Sequence, residues 1–131
     1  MKPTAFDCVS PNIIVLDSVS HIKKEHAHCV IVCGSHCGLS AAEHTLPFLP
    51  LGVIFNDAGK GKDDAGIKGL KLLQEQKQPI PAATVCYMSA RIGDGQDTYD
   101  SGQISECNAA AESCGIIIGM TAKNATKCMF K

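Results

Sequence analysis

A chain of 131 residues, 45% hydrophobic and 19% charged, has room for one domain with a single core and too little for two ordinary ones. Its net charge of -1 and pI near 6.5 exclude the basic excess of a nucleic-acid binder. No stretch approaches the roughly 20 apolar residues that span a bilayer, and no apolar run follows Lys2, so the chain reads as cytoplasmic, with neither a nucleic-acid nor a membrane partner.

Residues 1–12 are weakly patterned and read as an N-terminal arm, followed by a single domain over 13–131. Residues 13–16 form a short β-branched run that predicts a strand ending at Asp17. The stretch 18–27 is short for a helical crossover, which favours an antiparallel first strand pair. The run 28–33 is continuously apolar, as in a strand covered on both faces, and breaks at Gly34-Ser35-His36-Cys37-Gly38. A helix over 39–46 is ended by Pro47 and Pro50.

The third strand, 51–55, gives way to the polar Asn56-Asp57-Ala58-Gly59-Lys60-Gly61-Lys62. A helix follows, with Asp63 or Asp64 as its cap and Ile67, Leu70 and Leu73 on one face. Residues 82–88 predict a fourth strand, which stops at the loop 89–95. Ile104, Cys107 and Ala111 mark one face of a last helix over 101–114, stopped by Gly115. Residues 116–118 suit an edge strand and 121–131 a closing tail. The alternation predicts the α/β class: one layered, Rossmann-like domain with a mostly parallel sheet of about four to five strands flanked by helices.

Eight cysteines invite a disulfide or metal framework, but Cys29, Cys33 and Cys37 are four apart and no C-x-x-C pair occurs. Cys29, Cys33 and Cys86 lie in apolar runs, where a free thiol packs as a small hydrophobe.

The chemistry-bearing residues fall in three loops at strand ends. If the strands are parallel these loops share the carboxyl edge of the sheet, where open α/β sheets bind ligands. In the first loop Gly34, Ser35 and Gly38 suit an anion, and His36 suits proton transfer. A plain strand-to-helix turn would also need glycine. Cys37 near a helix start has the position of a nucleophile, although no G-x-S-x-G elbow surrounds it. In the second loop Asn56 lies beside Asp57, a candidate base, hydroxyl binder or ligand of a hard cation, and Lys60 and Lys62 suit an anionic substrate. In the third loop Arg91 has the fork that clamps a carboxylate or phosphate. Ser89 and Asp94 would orient the substrate, although Asp94 has an alternative partner in Arg91 and Ser89 an alternative role in the turn. Asn108 lies among alanines, as a buried hydrogen-bonding group or a site-lining one.

Gly34-Ser35-His36 with Gly38, Asn56-Asp57-Ala58-Gly59 with Gly61 and Asp63-Asp64-Ala65-Gly66, and Ser89-Ala90-Arg91-Ile92-Gly93-Asp94 resemble a pattern in a family of small bacterial α/β proteins without an established activity. The resemblance covers most of the chain from about residue 13, and it implies the fold class but no mechanism. Where that pattern has two glycines after the histidine, this chain has Cys37-Gly38, which puts a catalytic Cys37 in doubt.

These residues point to a small-molecule enzyme of hydrolase or lyase type acting on an anionic metabolite, with Asp57, His36 and Ser89 as catalytic candidates. Gly34, Ser35, Gly38, Asn56, Arg91 and Asp94 would bind the substrate. No cofactor is expected; a divalent cation at Asp57 is left open, with nothing in the sequence to support it. The alternatives are a non-catalytic ligand-binding or regulatory subunit and an oligomeric structural domain; 5% aromatic residues and no Trp disfavour a large aromatic interface but leave a homo-oligomer open.

Overall fold

The computed structural model describes residues 6–10 and 12–130. The apolar runs become four parallel strands, β2 (Ile13–Leu16), β3 (Val30–His36), β4 (Gly52–Asn56) and β5 (Ala82–Val85). Antiparallel strands flank them: β1 (Phe6–Ser10) beside β2 and β6 (Ile104–Cys107) beside β5. The six strands lie in sequence order across the sheet. Nearly every residue of the parallel strands is buried, which is why they read as continuous apolar runs rather than alternating ones.

Side chains alternate between two cores. Ile14, Leu16, Ile31, Cys33, Val53 and Phe55 face α1 (Leu39–Thr45) and α2 (Gly69–Gln74), which add Ala41, Ala42, Leu70 and Leu73. Ile13, Val15, Val30, Val32, Ile54 and Val85 face the opposite way. They meet Ala111, Ala122 and Ala125 from α4 (Ala109–Ser113) and α5 (Ala122–Cys128), and α3 (Gly95–Ser101) crosses β2 and β3 on that side. Fully burying a side chain such as Phe55 or Ile31 contributes about 1.5–3 kcal/mol.

Several expectations are corrected. The first strand pair, 13–16 with 28–33, is parallel, not antiparallel. Two short 3-10 turns, Val19–His21 and Lys24–His26, make the return with Val19 and Ile22 buried. Their rise of about 2.0 Å per residue covers the distance in fewer residues than an α-helix would need. The helix expected over 101–114 is instead the end of α3, the strand β6 and the short α4. A Cβ at Gly102 would overlap Thr98 O and meet the Val85 side chain 2.6 Å away, and Asn108 caps a new helix by accepting from Ala111 N. Residues 116–118 are not a strand: Gly115 (φ 102) turns the chain, Ile116 alone is buried, and the segment backs β6 through Gly119 N to Ile104 O and Ile104 N to Met120 O. The tail expected at 121–131 contains α5, capped by Thr121. Asp63 and Asp64 do not cap α2, which begins at Gly69, and the arm expected over 1–12 contributes β1 to the sheet. Among the described residues no helix is long and apolar enough to cross a membrane.

Candidate functional site

Because the parallel strands sit in sequence order, the connections leaving β2, β3 and β4 all pass to the α1/α2 side. The chain leaving β5 goes the other way, through residues 86–94 into α3. The carboxyl ends of β4 and β5 therefore form a point where neighbouring connections diverge, the position at which open α/β sheets hold ligands.

Residues 86–94 form a strap along this edge, stitched to each strand in turn. Tyr87 N donates to Asp57 Oδ1 (3.0 Å) at β4. Asn56 Nδ2 donates to Ala90 O (3.0 Å). Gly93 N donates to Gly34 O (2.8 Å) at β3, and Gly95 N to Asp17 Oδ1 (2.9 Å) at β2. The approach is close enough to need glycine: a Cβ at Gly34 would overlap Asp94 N and Gly93, and one at Gly95 would overlap the Leu16 carbonyl. Ser89 Oγ donates to Cys86 O (2.7 Å) and accepts from Gln103 N (3.0 Å). Asp94 Oδ1 caps α3 by accepting from Asp97 N (2.9 Å). Asp97 Oδ2 accepts from Arg91 N (2.7 Å), and this bond, helped by one from Ser101, holds its carboxyl below the usual value.

Asp57 is 3% exposed, and its Oδ1 accepts from both Gly59 N (2.8 Å) and Tyr87 N (3.0 Å). Its Oδ2 bonds to no described residue and reaches solvent: among the described residues the sole sealed side-chain polar atom without a partner is His21 Nδ1. Asn56 is fully buried, with Oδ1 accepting from Ala58 N (2.7 Å). His36 is exposed and is the register partner of Asn56 in the sheet. The Arg91 side chain is exposed, and its guanidinium hydrogen-bonds to no described residue.

His36 and Asn56 are register partners at the end of β4 with Asp57 next in the chain, Asn56 holds the Ala90 carbonyl that precedes Arg91, and the His36 ring lies against Gly38 at the start of α1. The other candidates are engaged elsewhere. Gly34 lies under the strap, Ser35 Oγ accepts from Val19 N (3.1 Å) toward the α1 side, and Gly38 caps α1 with its Cβ position 2.8 Å from His36 Nε2. Ser89 and Asp94 hold the strap itself. Cys37 is fully buried, and burial together with neighbouring Cys33 pushes its thiol up; Cys33 is pushed up to about 12 by burial.

Two features of the edge escape sequence reading. The loop after β4 carries left-handed backbone at Ala58, Gly59, Lys60, Gly61, Asp63 and Asp64, with φ between 52 and 71. Each non-glycine residue there costs about 1–2 kcal/mol. The loop is nevertheless fixed: Lys60 N donates to Asp57 O (2.6 Å), Gly66 N to Lys60 O (2.7 Å), and Lys60 Nζ pairs with Glu106 (2.6 Å), which raises the lysine's pKa. The second feature is Tyr87, read as strand interior. It is 51% exposed, next in the chain to exposed Met88, and its ring lies over Gly59. The clue available was length, since the run 82–88 exceeds the residues that become β5.

One surface cavity, of about 540 Å³, opens on the α1/α2 side of this edge, where Asp63 and Asp64 of the loop after β4 face Leu39 and Lys68, and another of about 520 Å³ lies at the amino end of the strands. Among the described residues no cluster of three His, Cys, Asp or Glu side chains is placed to hold a metal ion. No protein-family model, curated protein or solved structure matches the chain.

Proposed function

We propose that the carboxyl edge at β4 and β5 binds a small anionic metabolite and turns it over in a hydrolase- or lyase-type reaction, with Asp57 handling the proton. What carries this is the carboxylate at the divergence of the two connections: Oδ1 is fixed by two backbone N–H groups and Oδ2 is open. A carboxylate held at one oxygen has a defined orientation at the other. That is what a base taking a proton from water or from carbon needs. Arg91, exposed on the strap, supplies the charge that would hold the anion, and exposed His36 the second proton-transferring group. The left-handed loop adds weight, because strained backbone persists where the surroundings enforce it and clusters at functional sites.

The test has two stages. Titrating ¹⁵N-labelled protein with inorganic phosphate and with oxalate should move the amides of residues 36, 56–60 and 87–94; shifts absent there or centred elsewhere refute the site. Turnover is then sought in a panel of phosphorylated and carboxylated metabolites. Asp57→Asn keeps an acceptor for Gly59 and Tyr87 while removing the base, so it should lower turnover by about 100-fold or more with the thermal midpoint unchanged. Anions that bind without any turnover would leave a ligand-binding subunit and overturn the enzymatic part.

A further inference from the structure

Cys114 and Cys128 end two segments on the same side of the sheet. Cys114 is the C-cap of α4 and Cys128 the last residue of α5. Gly115, at φ 102, turns the chain immediately after Cys114, and Cys128 Sγ lies 3.9 Å from where a Cβ on Gly115 would sit. The sulfur of one cysteine is therefore packed against the residue that adjoins the other. Burial pushes the Cys114 thiol up, and charge on Cys128 pushes it further, which suits Cys114 to be the sulfur that resolves a sulfenic acid rather than the one that attacks first. Both are half-buried, whereas Cys29, Cys33 and Cys37 lie in the core. Cys114 lines the cavity of about 520 Å³ at the amino end of the strands, which gives a small oxidant access from the side opposite Asp57.

We infer that Cys114 and Cys128 form a dithiol that closes to a disulfide when the protein meets a peroxide. One thiolate attacks the O–O bond, giving a sulfenic acid and releasing hydroxide. The second sulfur attacks the sulfenic sulfur and forms the S–S bond, and its oxygen leaves as water. In balance, two thiols lose two protons and two electrons, and one peroxide becomes two waters. The bond would close the segment that backs β6 through Gly119 and Met120. This rests on nothing at the carboxyl edge.

The test treats the intact reduced protein with a stoichiometric amount of hydrogen peroxide, followed by alkylation, intact mass and peptide mapping. The expected result is a loss of two mass units before alkylation, reversed by dithiothreitol, two fewer alkylated thiols afterwards, and a crosslinked peptide joining Cys114 to Cys128. In Cys114→Ser and Cys128→Ser the two-unit loss should disappear. A gain of one or more oxygens on the wild-type thiols, a covalent dimer, or a crosslink between any other pair, Cys8 included, would overturn the inference.

Discussion

Replacing Asn108 with alanine tests how the two sides of the sheet are joined. Its side chain makes four hydrogen bonds: Oδ1 accepts from Ala82 N (3.1 Å) and Ala111 N (3.0 Å), and Nδ2 donates to Leu70 O (3.2 Å) and Ile80 O (2.9 Å). One amide thus ties α2, the entry to β5 and the first turn of α4, at a residue only 7% exposed. Alanine strands those partners. Ala111 is itself fully buried, so its N–H is stranded along with the other three groups. At about 1–3 kcal/mol for each buried group left without a partner, and allowing for partial relaxation, the loss should be about 3–5 kcal/mol. For a domain of this size that lowers the thermal midpoint by about 10–20 °C. Equilibrium unfolding in urea gives the free energy, provided the slope stays that of the wild type. Asn108→Asp is the companion: it keeps both acceptor bonds but sets a carboxylate oxygen against the Leu70 and Ile80 carbonyls. It should be at least as destabilised at neutral pH and recover partly in acid, where the protonated carboxyl donates. A loss below about 1 kcal/mol in Asn108→Ala, the range of a surface site, would refute the reasoning.

Gly34→Ala should destabilise by about 1–3 kcal/mol, because its Cβ meets strap backbone that has no rotamer to change. Amide exchange at Gly93 should accelerate with it, and wild-type stability and protection would show that the strap does not press on β3. His26 has a pKa below 6.5, mainly through burial, with Glu25 opposing and Lys23 assisting. The neutral ring accepts from Lys23 N (3.0 Å). The folded state therefore binds this proton less readily than the unfolded chain, so the contribution to stability is full above pH 6.5 and declines as pH falls through that value toward the folded pKa. An NMR titration of the His26 ring should give a midpoint under 6.5; one at or above it removes this part of the acid sensitivity.

The parallel sheet was legible because continuous apolar runs at 13–16, 28–33, 51–55 and 82–88 suit strands covered on both sides. The direction of the first pair was not, because the span between those strands looks too short until it is seen to be 3-10 turns. β6 was hidden by coincidence of spacing. Ile104, Cys107 and Ala111 would share one face of a helix, and only the inward turn of Asn108 separates a strand from the short helix after it. At the carboxyl edge, the residue types identified the loops but not their duties. That Gly34 serves the strap and Asn56 holds Ala90 depends on contacts between residues far apart in sequence, 34 apart in the case of Asn56. The polar group of Asp57 was legible, but its division into a fixed and an open oxygen required knowing where Tyr87 N–H would arrive.

Strand pairing alone links each parallel strand only to its immediate neighbours, so the sheet could splay at its flanks without breaking a ladder. The bond from Gly95 to Asp17, across 78 residues of sequence, draws the far flank back toward the near one. The same short stretch of backbone begins at Tyr87, on the Asp57 carboxylate. Slack introduced at Asp17 would therefore travel along it and loosen the grip on Asp57 at the opposite end, so that the orientation of one acid depends on how tightly a remote aspartate is tethered.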